Sequence, residues 1–260
     1  MKKAIVVKNL SKHFKIDSPV KRALLLRFAN VLSGVKTKKK IQPLKHVSFD
    51  VNKGETLGII GKNGAGKTTL LKLIAGIYKK DKGRVRINGK LLFMASLANG
   101  MKSNLSVRDN VFLVGAIYGL SPKQIKKIFN KIIKFAGLEQ FTDCKVYQLS
   151  SGMKSRLSFS AGIHCIEEIN PDIMLLDEVL SGGGGDEEFK EKNDKKIKEI
   201  IHSGKTLVIV SHGLSTIEKL CKRTIWLHQG RIMKIGPSKE VIKAYLEFID
   251  KMKVKAKKVK

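Results

Sequence analysis

Long apolar runs are missing from this chain of 260 residues. A helix needs roughly 18 consecutive apolar residues to cross a bilayer, and the most apolar stretch, 111–120, is short and contains Gly115 and Gly119. The apolar stretch near the N-terminus is also too short for the hydrophobic region of a secretory signal. These absences predict that the chain forms no membrane pore by itself and that it resides in the cytosol.

Cysteine is scarce, with three residues in the whole chain. Cys144, Cys165 and Cys221 lie far apart, and none belongs to a CxxC pair or has a histidine at metal-ligand spacing. We therefore interpret them as reduced, structural thiols. The sequence also contains no internal repeat and no sustained heptads.

Acidic residues are few: 22 Asp and Glu face 52 Lys and Arg, for a formal net charge of +30. A charge of this size suits nucleic acid, polyphosphate or an anionic membrane face. Aromatic residues able to stack on bases make up only 6% of the chain, and the lysines are spread over its whole length. The sequence leaves open whether the charge is functional or reflects a lysine-rich proteome.

Short apolar runs alternate with helical patterns, which is typical of an α/β domain. We predict one domain with a core at about 1–102 and 169–250, a helical insertion at about 103–168 and a basic, frayed tail at 251–260. The predicted strands are 4–7, 47–51, 55–60, 84–87, 173–176, 206–210, 225–228 and 231–235, with hairpin turns at 88–89 and 229–230. The clearest predicted helices are 68–77, 122–136, 187–202 and 238–250.

A glycine-rich loop joins the predicted strand 55–60 to the predicted helix 68–77. Its sequence, GKNGAGKT, matches the P-loop pattern, in which small residues let backbone N–H groups surround a phosphate. Lys67 would add a positive charge, and the hydroxyl of Thr68 would ligate Mg²⁺ at a helix N-terminus that favours anions. The candidate nucleotide-binding residues here are Gly61, Lys62, Asn63, Gly64, Ala65, Gly66, Lys67, Thr68 and Thr69.

Two acids, Asp177 and Glu178, end the apolar stretch PDIMLLDE at 171–178. Ligands bind at the carboxyl ends of strands in open parallel sheets, which is where these acids are expected. Asp177 would hold Mg²⁺ directly or through water, and Glu178 would orient or deprotonate the water that attacks the γ-phosphate of ATP. An apolar run that ends in two acids is common, so this interpretation depends on the P-loop in the same chain.

The stretch LSSGMKSRL at 149–157 resembles the signature sequence of the ABC ATPases, in the form found in exporters of polysaccharide, O-antigen and teichoic acid. Ser151 and Gly152 would lie at the N-terminus of a helix over 153–168 and would offer a hydroxyl, backbone amides and a dipole to a phosphate. The resemblance implies that this signature meets ATP bound to a second copy, so that a homodimer is the catalytic unit.

Two more residues are similar to functional residues of the ABC ATPases. His212, after the predicted strand 206–210, is similar to the switch histidine that contacts the γ-phosphate, and the resemblance implies Glu178, His212 and Lys67 as catalytic residues. Phe14 is similar to the aromatic residue that stacks on adenine; a phenylalanine of the core is the open alternative.

The sequence departs from the family pattern in three places. No glutamine occurs from 43 to 123, although many ABC ATPases carry one there, and the stretch around Ser96 resembles the exporter subgroup in this respect. Four glycines at 182–185 lengthen the loop before Asp186 by two residues, which leaves the role of Asp186 and full activity open. An insertion between 14 and 44 holds a potential amphipathic helix that would lie on a membrane surface or pack on its own domain; its residues are Lys21, Arg22, Leu24, Leu25, Arg27, Phe28 and Leu32.

We therefore expect an ABC ATPase fold: a P-loop core with a mainly parallel sheet, N-terminal antiparallel strands and an inserted helical subdomain. The resemblance implies hydrolysis of ATP with Mg²⁺ by a homodimer on the cytoplasmic face of the inner membrane, coupled to an integral permease that handles a polysaccharide or lipid-linked glycan, with no nucleic-acid partner. One alternative is a soluble ABC ATPase acting on ribosomes or nucleic acid. The other is a regulatory subunit with impaired hydrolysis.

Overall fold

A computed structural model describes residues 2–17, 38–95, 100–178, 187–211 and 213–257. Several features discussed above lie outside these residues, so their roles stay predictions: the amphipathic segment 21–32, Ser96, the glycine run 182–185 with Asp186, and His212. Among the described residues, no helix is both long and apolar enough to cross a bilayer.

The described chain contains two sheets. The first is antiparallel, in the order β2-β1-β4, and is built from β1 (Lys3–Asp17), β2 (Lys38–Asn52) and β4 (Lys82–Ile87). The second has the order β5-β6-β7-β3-β8-β9 and is parallel except for the β8–β9 hairpin. Its strands are β3 (Thr56–Ile60), β5 (Leu91–Met94), β6 (Ile173–Asp177), β7 (Thr206–Val210), β8 (Arg223–His228) and β9 (Arg231–Pro237). The predicted fold class is confirmed.

The prediction of a hairpin turn at 88–89 is wrong. β4 pairs with β1, whereas β5 pairs with β6, so this turn carries the chain from one sheet to the other. Asn88 is tied to the first sheet, because its backbone N–H donates to Ala4 O at 2.8 Å. Two residues later, Lys90 N donates to Asp172 Oδ2 at 2.7 Å, next to β6. Contacts distant in sequence therefore override the local turn signal.

Seven α-helices are found in the described chain. They are α1 (Lys67–Ile74), α2 (Val107–Ile117), α3 (Pro122–Ala136), α4 (Ser151–Ile169), α5 (Glu187–His202), α6 (Leu214–Leu220) and α7 (Ser238–Lys257). The predicted bounds of α3 and α5 agree with the structure, and the capping box of Ser121 with Gln124 is present. Helix α1 is shorter than predicted, because the chain leaves the helix at Ala75 and Gly76 follows with φ +74°.

The C-terminal tail was expected to fray from residue 251, and this prediction is wrong for most of its length. Helix α7 continues to Lys257. Its earlier turns pack on β8, where Trp226 contacts Tyr245 and Phe248 with ring centroids 5.7 and 5.1 Å apart. This aromatic cluster anchors the middle of the helix, and helical propagation extends it to Lys257.

The six-stranded sheet is buried on both faces because its side chains alternate between two apolar clusters. One face, with Ile59 and Leu175, packs against α1 and the three-stranded sheet. The opposite face, with Ile60 and Leu176, packs against residues of α4 to α7. The helical insertion of α2, α3 and α4 has an apolar cluster of its own. The carboxyl ends of β3 and β6 are thus held rigidly at one edge of the sheet.

Candidate nucleotide site

The P-loop joins β3 to α1 through backbone conformations that favour glycine. Gly61, Gly64 and Gly66 have φ values of +153°, +77° and +106°, in a region that other residues rarely adopt. A Cβ at Gly61 would lie 2.2 Å from Leu227 O, at the end of β8. At Gly61 the loop therefore passes neighbouring backbone so closely that a side chain is excluded.

The turn between β8 and β9 supports the loop from outside. Gly230 N donates to Ala65 O at 3.0 Å, and Lys45 N of β2 donates to Gly230 O at 2.8 Å. Ala65 is buried, whereas Lys62, Asn63, Gly64 and Thr68 are exposed. The inner side of the loop is thus fixed by hydrogen bonds, while its outer side and the start of α1 face solvent, where a phosphate can approach the backbone amides.

Lys67, the first residue of α1, reaches back across the loop. Its side chain donates to Gly61 O at 2.8 Å and to Lys62 O at 3.3 Å, and the residue is only 7% exposed. Burial lowers the pKa of Lys67 below its usual value, while the negative charges of Glu178 and Asp177 act in the opposite direction. The P-loop lysine and the two acids therefore share one electrostatic environment.

Asp177 is the last residue of β6 and is 6% exposed. Its Oδ1 atom is buried and has no hydrogen-bond partner among the described residues. A buried carboxylate oxygen is costly unless something satisfies it, and carboxylate and hydroxyl oxygens are the ligands that Mg²⁺ prefers. Asp177, with the hydroxyl of the exposed Thr68, therefore fits the donor set of a Mg²⁺ site.

Glu178 follows β6 in an unusual backbone conformation. Its φ is +61°, and its backbone N–H donates to Val210 O at 3.0 Å across to β7. A left-handed conformation costs a residue other than glycine about 1–3 kcal/mol and is often found at functional sites. The turn ends the strand immediately after Asp177 and keeps Glu178 at the carboxyl edge of the sheet.

Phe14 is half-buried and lies opposite Ile41 in the β1–β2 ladder. Two residues further along β2, the Pro43 carbonyl approaches Gly66 of the P-loop. The Phe14 ring meets the Tyr78 ring edge to face, with 5.4 Å between centroids, and the Lys12 ammonium lies 5.2 Å from the Phe14 centroid. Phe14 is therefore near the P-loop and is held by a small set of contacts at the margin of the core.

Ser151 and Gly152 are the first two residues of α4, which begins two residues earlier than predicted. The helix is capped by Ser150, whose Oγ accepts a hydrogen bond from Met153 N at 3.2 Å. Ser151 is exposed and Gly152 is half-buried. The exposed Ser151 thus lies at the start of this helix on the surface of the helical insertion, away from the P-loop in sequence.

Sequence reasoning missed the residues that support Phe14. Asp81 accepts hydrogen bonds from His13 N and, at 3.1 Å, from Lys12 Nζ. Together with Tyr78 it fixes the strand segment that carries Phe14. Both residues belong to the connection between α1 and β4, for which the sequence carried no motif, so only the tertiary contacts reveal them.

Comparison with known proteins agrees with this geometry. Residues 44–181 match the family model described as ABC transporter. The chain is 42% identical over 226 residues to the teichoic acids export ATP-binding protein TagH of Lactococcus lactis subsp. lactis (strain IL1403), covering 87% of this chain and 47% of that protein. It is 35% identical over 251 residues to the O-antigen export system ATP-binding protein RfbB of Myxococcus xanthus, covering 95% of this chain and 56% of the relative.

The chain spans about half the length of these curated relatives. Its fold is similar to a dimeric structure of a post-hydrolysis state of the ATP-binding cassette MJ0796 bound to ADP and Pi, with a TM-score of 0.64 and 24% identity over 90% of this chain and 98% of the other. The family match covers more than half of the chain and includes the P-loop, the signature and the paired acids. The chain therefore belongs to the ABC transporter family.

Proposed function

We propose that this chain hydrolyses ATP to ADP and phosphate as the nucleotide-binding subunit of an ABC transporter. The observation that carries the proposal is that Lys67, after the end of β3, and the acids Asp177 and Glu178, at the end of β6, lie at the same carboxyl edge of the sheet. The buried Oδ1 of Asp177 has no hydrogen-bond partner among the described residues. Convergence of a phosphate-binding cation, a cation-binding acid and a second acid is what phosphoryl transfer to water requires.

In this proposal the amides of 61–66 and the start of α1 bind the phosphates of ATP. On binding, Lys67 would exchange its hydrogen bonds with the loop carbonyls for contacts with the phosphates. Thr68 and Asp177 would hold Mg²⁺, which when bound neutralises charge on the phosphate oxygens. Phe14 would stack on adenine through its flat ring.

Glu178 would act as the general base or as the group that orients the attacking water, because it is fixed at the same edge as Asp177. His212 would contact the γ-phosphate, as the family resemblance implies.

The catalytic unit would be a homodimer, in which Ser151 and Gly152 of one copy complete the ATP site of the other. The exposed Ser151 at the start of α4 supports this arrangement, because a helix N-terminus with an accessible hydroxyl can bind a phosphate. The structure that resembles this chain in fold is itself described as dimeric.

The chain would lie on the cytoplasmic face of the inner membrane, bound to an integral permease, and would export a polysaccharide or lipid-linked glycan. The support for this cargo is that relatives named for teichoic-acid and O-antigen export match at 42% and 35% identity. These names do not favour a soluble ATPase that acts on ribosomes or nucleic acid.

The test compares ATP hydrolysis and ATP binding of the wild type and Glu178→Gln. We expect hydrolysis to fall by about 10²-fold or more while ATP binding is retained, because the amide keeps the size of the side chain but cannot accept a proton. Glu139→Gln, an exposed acid of the helical insertion, is the control. Equal and negligible rates of ATP hydrolysis for wild type and Glu178→Gln would instead support a regulatory subunit.

A second experiment tests the permease partner: a multi-span membrane protein should be recovered with this chain from detergent-solubilised membranes.

A further inference from the structure

Helix α3 carries five exposed lysines on its outer side and no acid anywhere in its sequence. Their spacing places them in one stripe along the helix. From the first to the last, the stripe extends for about 16 Å at the usual rise of an α-helix. We call this stripe the lysine face; its residues are Lys123, Lys126, Lys127, Lys131 and Lys134.

The orientation of the lysine face is fixed by close packing on its inner side. A Cβ on Gly115 of α2 would lie 2.6 Å from Ile125 Cγ1, so α3 and α2 approach as closely as a glycine allows. On the other side, Ser160 Oγ of α4 donates to Ile132 O at 2.6 Å. With both contacts in place, α3 cannot rotate to hide its lysines, and the lysine face points away from the insertion.

The lysine face destabilises the helix that carries it. Lys123, Lys127 and Lys131 are spaced four residues apart, and like charges at this spacing repel. Lys123 and Lys126 also lie near the helix N-terminus, where the macrodipole disfavours cations. Within the described part of the chain, the one ion pair of this stripe joins Lys127 to Glu168 at 3.1 Å. The other four lysines of the face have no ion-pair partner among the described residues.

A lysine-rich composition alone does not explain this arrangement, as helix α5 shows. Helix α5 also carries five lysines, but it carries five acids among them. Lys192 pairs with Glu188 and Lys196 pairs with Glu199 along the helix. Two helices of the same chain therefore have the same number of lysines, and only α3 lacks compensating acids.

We propose that the lysine face docks on the anionic headgroups of a lipid bilayer. Long lysine side chains on one side of a rigid helix can reach a flat surface along the length of the helix, and lysines near an anionic membrane each add to the attraction. The two aromatic residues of α3 are engaged elsewhere: Phe129 contacts Phe112, and Phe135 contacts Phe159, each with 6.2 Å between ring centroids. They are therefore not presented for stacking on nucleic-acid bases, which disfavours single-stranded RNA as the partner.

The test measures binding of the full chain to vesicles of phosphatidylcholine with and without phosphatidylglycerol. We expect the wild type to bind only the anionic vesicles and to be released by high salt. The variant Lys123→Gln/Lys127→Gln/Lys131→Gln should bind about fivefold less tightly per lysine removed, or roughly a hundredfold in total. The control removes the same charge from α5, through Lys190→Gln/Lys195→Gln/Lys198→Gln, and should bind within a few-fold of the wild type.

Three results would overturn the proposal. In the first, the wild type would fail to bind anionic vesicles, and in the second, the two triple variants would lose vesicle affinity equally. In the third, single-stranded RNA would compete with the vesicles for the wild type, and the α3 triple variant would have lost its affinity for that RNA. Thermal unfolding and ATP binding of both variants verify that they are folded. The lysine face is remote in sequence from Lys67 and Glu178, so its failure leaves the proposed ATPase function intact, and loss of activity in Glu178→Gln says nothing about vesicle binding.

Discussion

Gly66 lies directly against the carbonyl oxygen of Pro43, and a Cβ on Gly66 would be 2.4 Å from that oxygen. Pro43 O is also close to Gly230, where a Cβ would lie at 2.5 Å. Pro43 of strand β2 therefore packs against both the P-loop and the β8–β9 turn. The loop is shaped by backbone contacts before any nucleotide arrives, which lowers the entropic cost of binding phosphate.

We expect Gly66→Ala to destabilise the chain more than Gly64→Ala. Both glycines have positive φ, so each alanine costs about 1–2 kcal/mol in backbone strain. At Gly64 no described atom lies within 4 Å of the added Cβ, whereas at Gly66 the Cβ meets Pro43 O. In thermal unfolding, Gly64→Ala should lower the Tm by about 2–8 °C, and Gly66→Ala should lower it further by several degrees. Equal shifts would show that the Pro43 contact does not constrain the loop.

Asp177→Asn should raise the Mg²⁺ concentration needed for half-maximal ATP hydrolysis by roughly tenfold or more, because an amide oxygen is a weaker ligand than a carboxylate for this cation. The buried Oδ1 without a described partner is the atom that the substitution affects. Titration of Mg²⁺ at fixed ATP measures the shift. Asp172→Asn, at the opposite end of β6, is the control and should leave the Mg²⁺ requirement unchanged. An unchanged requirement in Asp177→Asn would remove this residue from the metal site.

Tyr78→Ala should raise the KM for ATP by about twofold to tenfold with a smaller change in kcat, since an edge-to-face aromatic pair contributes about 0.5–1.5 kcal/mol. Tyr78→Phe keeps the ring and should retain the wild-type KM. The reason is that Tyr78 holds the Phe14 ring at 5.4 Å and is itself 5.4 Å from the Lys72 ammonium of α1. If Tyr78→Ala lowered kcat and left KM unchanged, the contact would serve stability and not base binding.

The P-loop, the acid pair and helix α3 could be predicted because their signals are local. The apolar run of β3 ends directly at glycines, and the bounds of α3 are marked by Ser121 and Gly137. The capping residues satisfy backbone groups within a few residues of themselves. A short window of sequence therefore contains the whole physical cause of these elements.

The pairing of β4 and the frame around Phe14 could not be predicted in the same way. Asn88 Nδ2 donates to Lys3 O at 2.8 Å, across 85 positions of sequence. This contact ties the turn at 88–89 to the first sheet, so the turn connects the two sheets and does not close a hairpin. The Tyr78 and Asp81 contacts with β1 likewise join residues more than 60 positions apart. Such contacts follow from packing of whole elements, which periodicity does not report.

The carboxylate of Asp81 links stability to pH through the strand that carries Phe14. Hydrogen bonds from His13 N and the nearby Lys12 ammonium hold the pKa of Asp81 below its usual value. The unfolded chain, with a pKa of about 3.9 for aspartate, therefore binds the proton more tightly than the folded chain does. Stability from this group is fully present above the unfolded pKa and is lost as the pH falls through the folded value.

We therefore expect Asp81→Asn to have a lower Tm than the wild type at pH 7, and we expect the gap to narrow as the pH falls below about 4, where the wild-type carboxylate also becomes neutral. Thermal unfolding of both proteins between pH 7 and pH 3 measures the gap. Because Asp81 is exposed, high salt should reduce the gap at pH 7 as well. A gap that stayed constant across this pH range would mean that the asparagine destabilises β1 by a route other than the lost charge. In that case the negative charge of Asp81, through His13 and Lys12, would not be what stabilises the strand segment that carries Phe14.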